Sequence, residues 1–274
     1  MTRIEETPFG VPSVCLSSPA TFYTTCMRAV GAPRVQTMTD HAFSDAERAA
    51  VYRAIAERRD MRHFRSDPVE PDVLTRLLQA AHQAPSVGLM QPWRIIRVTD
   101  AELRADIRQL VEQERLATAE ALGERGDEFM RLKVEGMDQC AELLVIALMD
   151  QRDSHVFGRR TLPQMDLASV SCAIQNLWLA ARAEGLGVGW VSIVKQRELQ
   201  EALDIPSNIV PIAYLCVGYV SHFYKKPELE SAGWLPRMPL EQLVHFDQWQ
   251  NHRSAEEETL IDQIQQLQDF PKGF

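Results

Sequence analysis

Apolar positions along the chain change their spacing several times, and each change marks an expected element. In MTDHAFSDAERAAVYRAIAERRD, from residue 38, Ala50, Val51, Ala54 and Ile55 fall on one side of a 3.6-residue period. Ser44, followed three residues later by Glu47, is a capping-box signature that opens this helix. Pro71 suits the first position of a second helix, with a stripe of Val73, Leu74, Leu77, Leu78 and Ala81 that Pro85 ends. RIIRVT (94–99) is short and β-branched and predicts a strand, whereas DAELRADIRQLVEQERLATAEAL is long, charged and rich in helix formers. After a further helical piece leading to Cys140, LLVIALM (143–149) is apolar without interruption, as in a central strand covered on both faces.

QMDLASVSCAIQNLWLAARAEGLG keeps helical spacing for about six turns and stops at Gly185. The Ala, Ser and Cys of its first half predict a close helix partner. GVGWVSIV (187–194) and IVPIAYLCVGYV (209–220) read as two more strands around the short helix QRELQEAL. Helices come first, and the later strands are separated by helices of unequal length, so an α+β fold is expected rather than a βαβ repeat.

Residues 1–37 show no period and mix Pro, Gly, Ser and Thr, so a disordered or loosely attached arm is expected there. Met38 is the expected natural start, which peptides from 1–37 in protein from its native locus would contradict. The expected organisation is this arm, one folded domain over 38–250, and an acidic helical tail over 251–274. In that tail Leu260, Ile261, Ile264 and Leu267 stand at helical spacing. The preceding SHFYKKPELESAGWLPRMPLEQLVHFDQWQ, irregular and rich in aromatics, is expected to lie as an extended arm over another surface.

The chain has 274 residues, enough for a substantial core. Its 29 Lys+Arg against 38 Asp+Glu give a formal charge of -9, which opposes the long-range attraction that nucleic acid or an anionic membrane requires. No apolar run of membrane-spanning length occurs, and MTRIEETPFG lacks the order of a signal peptide, so a soluble, cytoplasmic protein is expected. Cys15, Cys26, Cys140, Cys172 and Cys216 show no CxxC and no metal-ligand spacing. They read as reduced thiols, the last three as core residues.

Three segments carry candidate chemistry. In RRDMR (58–62), at the end of the first helix, the last carbonyls attract cations, which accounts for Arg58 and Arg59. Asp60 is unfavourable there unless Arg62 or Arg59 pairs with it. Alternatively, the arginines grip a phosphate while Asp60 offers a proton acceptor or donor beside it. In APSVGLMQPW, Ser86, Gly88 and Gln91 offer a hydroxyl, unhindered backbone N–H groups and an amide, suited to the edge of a flat heterocycle or to an ordinary turn. In GLGVGWVSI, Gly185, Gly187 and Gly189 follow a helix and open a strand, the reverse of the dinucleotide fingerprint. They allow close backbone approach beside Trp190 and Ser192. The seven histidines form no HExxH, and no GxSxG accompanies them; His63 and His82 read as structural or solvent-facing.

RRDMR, AAHQAPSVGLMQPW, QMDLASVSCAIQNLWLAARAEGLGVGWVSI and PELESAGWLPRMPLEQLV together resemble the BluB family, the aerobic 5,6-dimethylbenzimidazole synthases among nitroreductase-like flavoproteins. The resemblance runs from about Met38 to Trp249. It implies a homodimer with a mostly antiparallel sheet flanked by helices, a C-terminal arm wrapping the partner, and two FMN sites at the interface. It further implies that reduced FMN is the substrate and dioxygen the co-substrate. The flavin is cut to 5,6-dimethylbenzimidazole, the lower ligand of cobalamin, with erythrose 4-phosphate as by-product. A separate flavin reductase would supply the electrons, with no bound NAD(P)H.

By motif, Arg58, Arg59 and Arg62 would hold the FMN phosphate and ribityl chain, with Arg237 as a further cationic contact and Met61 within the same set. Ser86, Gly88, Met90 and Gln91 would line the ring system, approached from another side by Gly189, Trp190 and Val191. Lys133 and Asp166 are further candidates. Asp60 matches the family's essential carboxylate and Ser192 its serine. An NAD(P)H-dependent nitroreductase or flavin reductase, and a non-catalytic flavin carrier, are the alternatives.

Overall fold

In the computed structural model, β1 (Trp93–Val98), β2 (Glu142–Leu148), β3 (Leu186–Val191) and β4 (Pro211–Tyr219) form one sheet in the order β1-β2-β4-β3, antiparallel at every pairing. The structure describes residues 41–132, 136–149, 152–154, 157–249 and 254–266. The expected arm over 1–37, the start at Met38 and Lys133 lie outside them. Chain contacts divide the molecule into Met1–Ala42 and Phe43–Phe274, and the elements described below lie in the second unit.

The helices are α1 (Asp45–Glu57), α2 (Pro71–His82), α3 (Ala101–Ala121), α4 (Gly126–Arg131), α5 (Met165–Ala183), α6 (Gln196–Ala202), α7 (Glu228–Ser231) and α8 (Ala255–Gln266). All seven residues of β2 are buried, as its unbroken apolar run predicts. Successive residues point to opposite faces and fill two cores. Leu144, Ile146, Leu215, Val217 and Val188 meet α2 and α5 through Leu74, Leu77, Ala81, Ile174 and Leu177. On the other face Leu143, Val145, Tyr214, Cys216 and Val191 meet Ile107 and Val111 of α3 and Leu199 of α6. At about 25 cal/mol per Å² of apolar area, these cores supply the main stabilisation.

The Ser44–Glu47 capping box forms, and Pro71 opens α2 over its expected stripe. α2 is the helix partner of α5, and Asn176 Nδ2 donates to Ala80 O at 3.2 Å. The expectation for Cys172 is corrected. Val170, Ala173, Ile174 and Leu177 take the inner face of α5, so Cys172 falls on the outer face and is exposed with Ala168 and Ser171. β3 stops at Val191, leaving Ser192–Val194 beyond the strand. α1 buries none of its residues, so its predicted stripe forms but stays uncovered in the single chain. Among the described residues no helix is long and apolar enough to cross a membrane.

Candidate active site

α1 ends at Arg58, where ψ of 132° turns the backbone extended. The chain then runs along the free edge of β3, where Asp60 bridges Val188 in parallel and Met61 N–H donates to Val188 O at 2.9 Å, and reaches the end of β4, where Arg65 N–H donates to Tyr219 O at 2.8 Å. The glycines of β3 permit this approach. A Cβ on Gly189 would stand 2.3 Å from Met61 O and 2.9 Å from Arg62 Nη1, and one on Gly187 would stand 3.0 Å from the Met61 side chain. The sequence reading of close approach is therefore borne out at Gly187 and Gly189, whereas a Cβ on Gly185 would meet nothing within 4 Å.

The same register holds Asp60. Trp190 N–H donates to Asp60 Oδ1 at 2.9 Å, while Arg62 Nη2 pairs with Oδ2 and donates to Trp190 O at 2.8 Å. Arg62 is thus the cation that makes Asp60 tolerable at a helix end. The Arg62 side chain is 9% exposed, whereas that of Asp60 keeps 44% of its surface open. Surrounding protein mass still pushes the Asp60 carboxyl above the ordinary range, against the pull of Arg62, the Trp190 N–H and Arg58. The result is an anchored carboxyl with an open side, able to hold a proton at higher pH than an ordinary aspartate.

Arg59 satisfies the end of α1, donating through Nη1 to Ala56 O and Arg58 O at 2.7 Å each and through Nη2 to Lys225 O at 2.8 Å. The Arg58 guanidinium lies 4.7 Å from the ring centre of Trp178, whose Nε1–H donates to Arg59 O at 3.2 Å. Burial lowers the pKa of both arginines; Arg58 lowers Arg59 further, and Arg237 presses on each. Arg237, distant in sequence, therefore joins this cationic patch. Arg59 Nε and Arg62 Nη1 are buried without hydrogen-bond partners among the described residues.

The 86–91 loop is built differently. Ser86 Oγ accepts from Gln91 N–H at 3.1 Å, and Val87 N–H donates to Ser169 Oγ at 3.1 Å. Gly88, Leu89 and Gln91 have φ of 54°, 52° and 49°, a left-handed run strained at the two non-glycine residues. The loop rests on Ser169 and the RRDMR ribbon on Trp178, nine residues along α5, or about 14 Å. Their anchors on α5 are that far apart within one chain.

Several candidates take other places. Met61 and Val191 are core residues and Met90 is buried, so Met61 and Val191 could meet a ligand only through their backbones. Asp166 is 0% exposed, accepts from Arg152 Nε at 2.6 Å and Leu167 N–H at 2.7 Å, and forms an ion pair with Arg159 at 3.0 Å. Its carboxylate is committed to those partners, which corrects the expectation of a cofactor contact. Ser192 is exposed just past β3, two residues from the N–H that anchors Asp60. Trp178 and Lys225 were missed because neither carries a local signal; only the packing of α5 and the 221–226 segment brings them to the ribbon.

The nitroreductase family pattern matches residues 55–219, and the chain belongs to the nitroreductase family. Within it, the resemblance read from the sequence is borne out by relatives named 5,6-dimethylbenzimidazole synthase. The protein from Rhodospirillum rubrum is 43% identical over 66% of this chain and 87% of its own length. One from Rhodobacter capsulatus is 37% identical over 73% of this chain and 97% of its own. Oxidized iodotyrosine deiodinase, solved with FMN and 3-iodo-L-tyrosine, superposes with a TM-score of 0.58 at 24% identity, covering 73% of this chain and 100% of that one. That likeness shows the shared fold.

Proposed function

We propose that the protein is an oxygen-dependent 5,6-dimethylbenzimidazole synthase that takes reduced FMN as its substrate and dioxygen as its co-substrate. The observation that carries this reading is the Asp60 carboxyl, fixed by Trp190 N–H and Arg62, raised in pKa and open on one side within a cationic patch. The relatives named as synthases supply the reaction, and the patch fits the ligand. Arg58, Arg59 and Arg237 crowd one another's charge, and Arg59 Nε and Arg62 Nη1 lack partners, so a phosphate and a polyol chain would relieve both.

Reduced FMN, when bound, supplies the electrons that activate dioxygen and the ring carbons of the product. The chain's own residues then bind, orient and move protons. Arg58, Arg59 and Arg237 hold the phosphate end, Arg62 keeps Asp60 in place, and Asp60 gives and takes protons as the ring system is broken down. Ser192, at the mouth of β3, orients the reacting oxygen or relays a proton. Erythrose 4-phosphate leaves as the sugar fragment. A separate reductase supplies reduced FMN, and no nicotinamide site is needed.

The site is complete only in a homodimer on this reading. The 86–91 loop stands about 14 Å along α5 from the Asp60 ribbon of its own chain, so a second copy's loop would cover the flavin. The uncovered stripe of α1 and the exposed Leu235, Met238 and Leu240 of the arm would be the contact surfaces.

The test is incubation of the protein in air with FMN, NADH and an unrelated flavin reductase, with product sought by chromatography and mass spectrometry. Dimethylbenzimidazole formed only in the complete mixture supports the proposal. FMN recovered intact while NADH is consumed and peroxide accumulates assigns a reductase or carrier role instead.

A further inference from the structure

Behind Asp60, on the sheet face that meets α3, two thiols stand in a place the proposed reaction does not use. Cys140 and Cys216 are both free, both buried and both in the same core cluster. Cys216 lies in β4 opposite Gly189 of β3, and cross-strand partners point to the same face with Cβ atoms roughly 5 Å apart. Arg62 Nη1 sits 2.9 Å from where the Gly189 Cβ would be, so the guanidinium that holds Asp60 lies over the Cys216 side chain. On the far side Arg104 Nη2 stands 3.4 Å from Cys140 Sγ and donates to Cys140 O at 2.8 Å. Cys140 Cα lies 3.6 Å from where a Cβ on Gly218 would stand, two residues along β4 from Cys216 and on the same face, which places a buried dithiol between two guanidinium groups.

That setting differs from an inert core cysteine. The neighbouring Cys216, with help from Arg104, draws the Cys140 thiol below its usual range even though burial opposes this. The Cys216 thiol is pushed up by its contact with Cys140 and by burial, and Arg104, 3.4 Å from Cys140 Sγ, makes Cys140 the sulfur that attacks. Tyr214, whose hydroxyl is buried without a partner among the described residues, faces both sulfurs and is neutral at physiological pH, its pKa being raised by burial. Access is short, because Cys140 directly follows the exposed turn residues Asp138 and Gln139. A local opening of that turn uncovers its sulfur.

We infer that Cys140 and Cys216 form a redox-active pair that a hydroperoxide oxidises to a disulfide beneath Arg62. The Cys140 thiolate attacks one oxygen of hydrogen peroxide; the O–O bond breaks, an S–O bond forms, and the proton lost by Cys140 leaves in water. Cys216 sulfur then displaces the hydroxyl from Cys140; the S–S bond forms, the S–O bond breaks, and the Cys216 proton leaves in a second water. Two thiols and one peroxide give one disulfide and two waters, the sulfurs losing two electrons to the peroxide. The bridge would tie the 137–140 turn to β4 directly under the arginine that orients Asp60. Peroxide in the medium could therefore reach the site's geometry without touching the site itself.

The experiment treats the full chain, without flavin, with stoichiometric hydrogen peroxide, alkylates the remaining thiols, and maps non-reduced peptides by mass spectrometry. The expected result is a chain lighter by two hydrogen atoms, with one cross-linked peptide joining Cys140 to Cys216 and both residues lost from the alkylated pool. Cys15→Ser, Cys26→Ser and Cys172→Ser together remove the other thiols of the chain and should leave that cross-link unchanged. Recovery of both cysteines as alkylated thiols, or of Cys140 as sulfinic acid with Cys216 free, overturns the inference. Because no flavin is present, the outcome stands apart from whether the chain makes dimethylbenzimidazole.

Discussion

Asp60 is held by two contacts that ask different things of it. The Trp190 N–H and the Arg62 guanidinium favour the carboxylate, while the surrounding protein favours the acid, and the acid gains. A carboxyl balanced in this way keeps its proton to higher pH than an ordinary aspartate, which suits it to give and take protons. Asp60→Asn keeps the acceptor for Trp190 N–H but removes the titrating proton. The variant should still bind reduced FMN and consume dioxygen, yet its dimethylbenzimidazole yield should fall by about 10²- to 10⁴-fold, the range of positioned proton transfer. Yield measured against dioxygen uptake in one cuvette checks this, and an unchanged ratio removes Asp60 from the reaction. The residue types were legible in RRDMR, because one acid among arginines at a helix end demands a partner. Which arginine serves could not be read there: Arg62 reaches Asp60 because Gly189 lets the ribbon sit on β3, and Arg59 turns back to the helix carbonyls.

At the scale of elements, periodicity gave all four strands and the main helices, because apolar spacing follows directly from which faces the sheet and helices bury. It misplaced Cys172 and Asp166 for one reason. A helix wheel shows a small residue or an acid on a face without showing what lies opposite. Cys172 lies exposed on the outer face of α5, whereas Asp166 meets two arginines from the 152–163 segment. The Asp166 cluster has a pH signature. Burial alone would raise its carboxyl, but hydrogen bonds from Arg152 and the Leu167 N–H, with the charges of Arg152 and Arg159, hold it below the ordinary range. A depressed carboxyl contributes stability that is fully present above the unfolded pKa, about 4, and is lost as pH falls through the lower folded value. Asp166→Asn should therefore cost about 2 kcal/mol at neutral pH, less than a fully buried pair because both arginines reach solvent. Urea unfolding across an acid series should show the gap between variant and wild type closing below that range; a gap that stays constant with pH would mean the ion cluster contributes nothing.

The whole molecule raises the question of what covers its apolar surface. α1 presents Val51 and Ile55, 48% and 38% exposed, and the arm presents Leu235, Met238 and Leu240, each more than half exposed. A helix with no buried residue has no reason to persist in an isolated chain, since helical stability in proteins comes mainly from packing of an apolar face. The 86–91 loop, strained at Leu89 and Gln91 and set apart from Asp60 along α5, would likewise gain from a contact with a second copy. One symmetric partner would meet all three needs, and a twofold contact repeats each surface on both copies. Val51→Glu with Ile55→Glu places two charges on that stripe and forfeits the burial of two side chains, at about 3 kcal/mol or more. The dimer dissociation constant should then rise by over about a hundredfold. Sedimentation velocity should show a dimer for the native chain and a monomer for the double variant at the same concentration. Far-ultraviolet circular dichroism should stay near native, because the two cores lie in α2, α3, α5, α6 and the sheet. FMN binding should fall with the dimer if the second copy's loop completes the site. A variant that turns monomeric and keeps native FMN affinity would place the whole flavin site within one chain and leave the strained loop without a role.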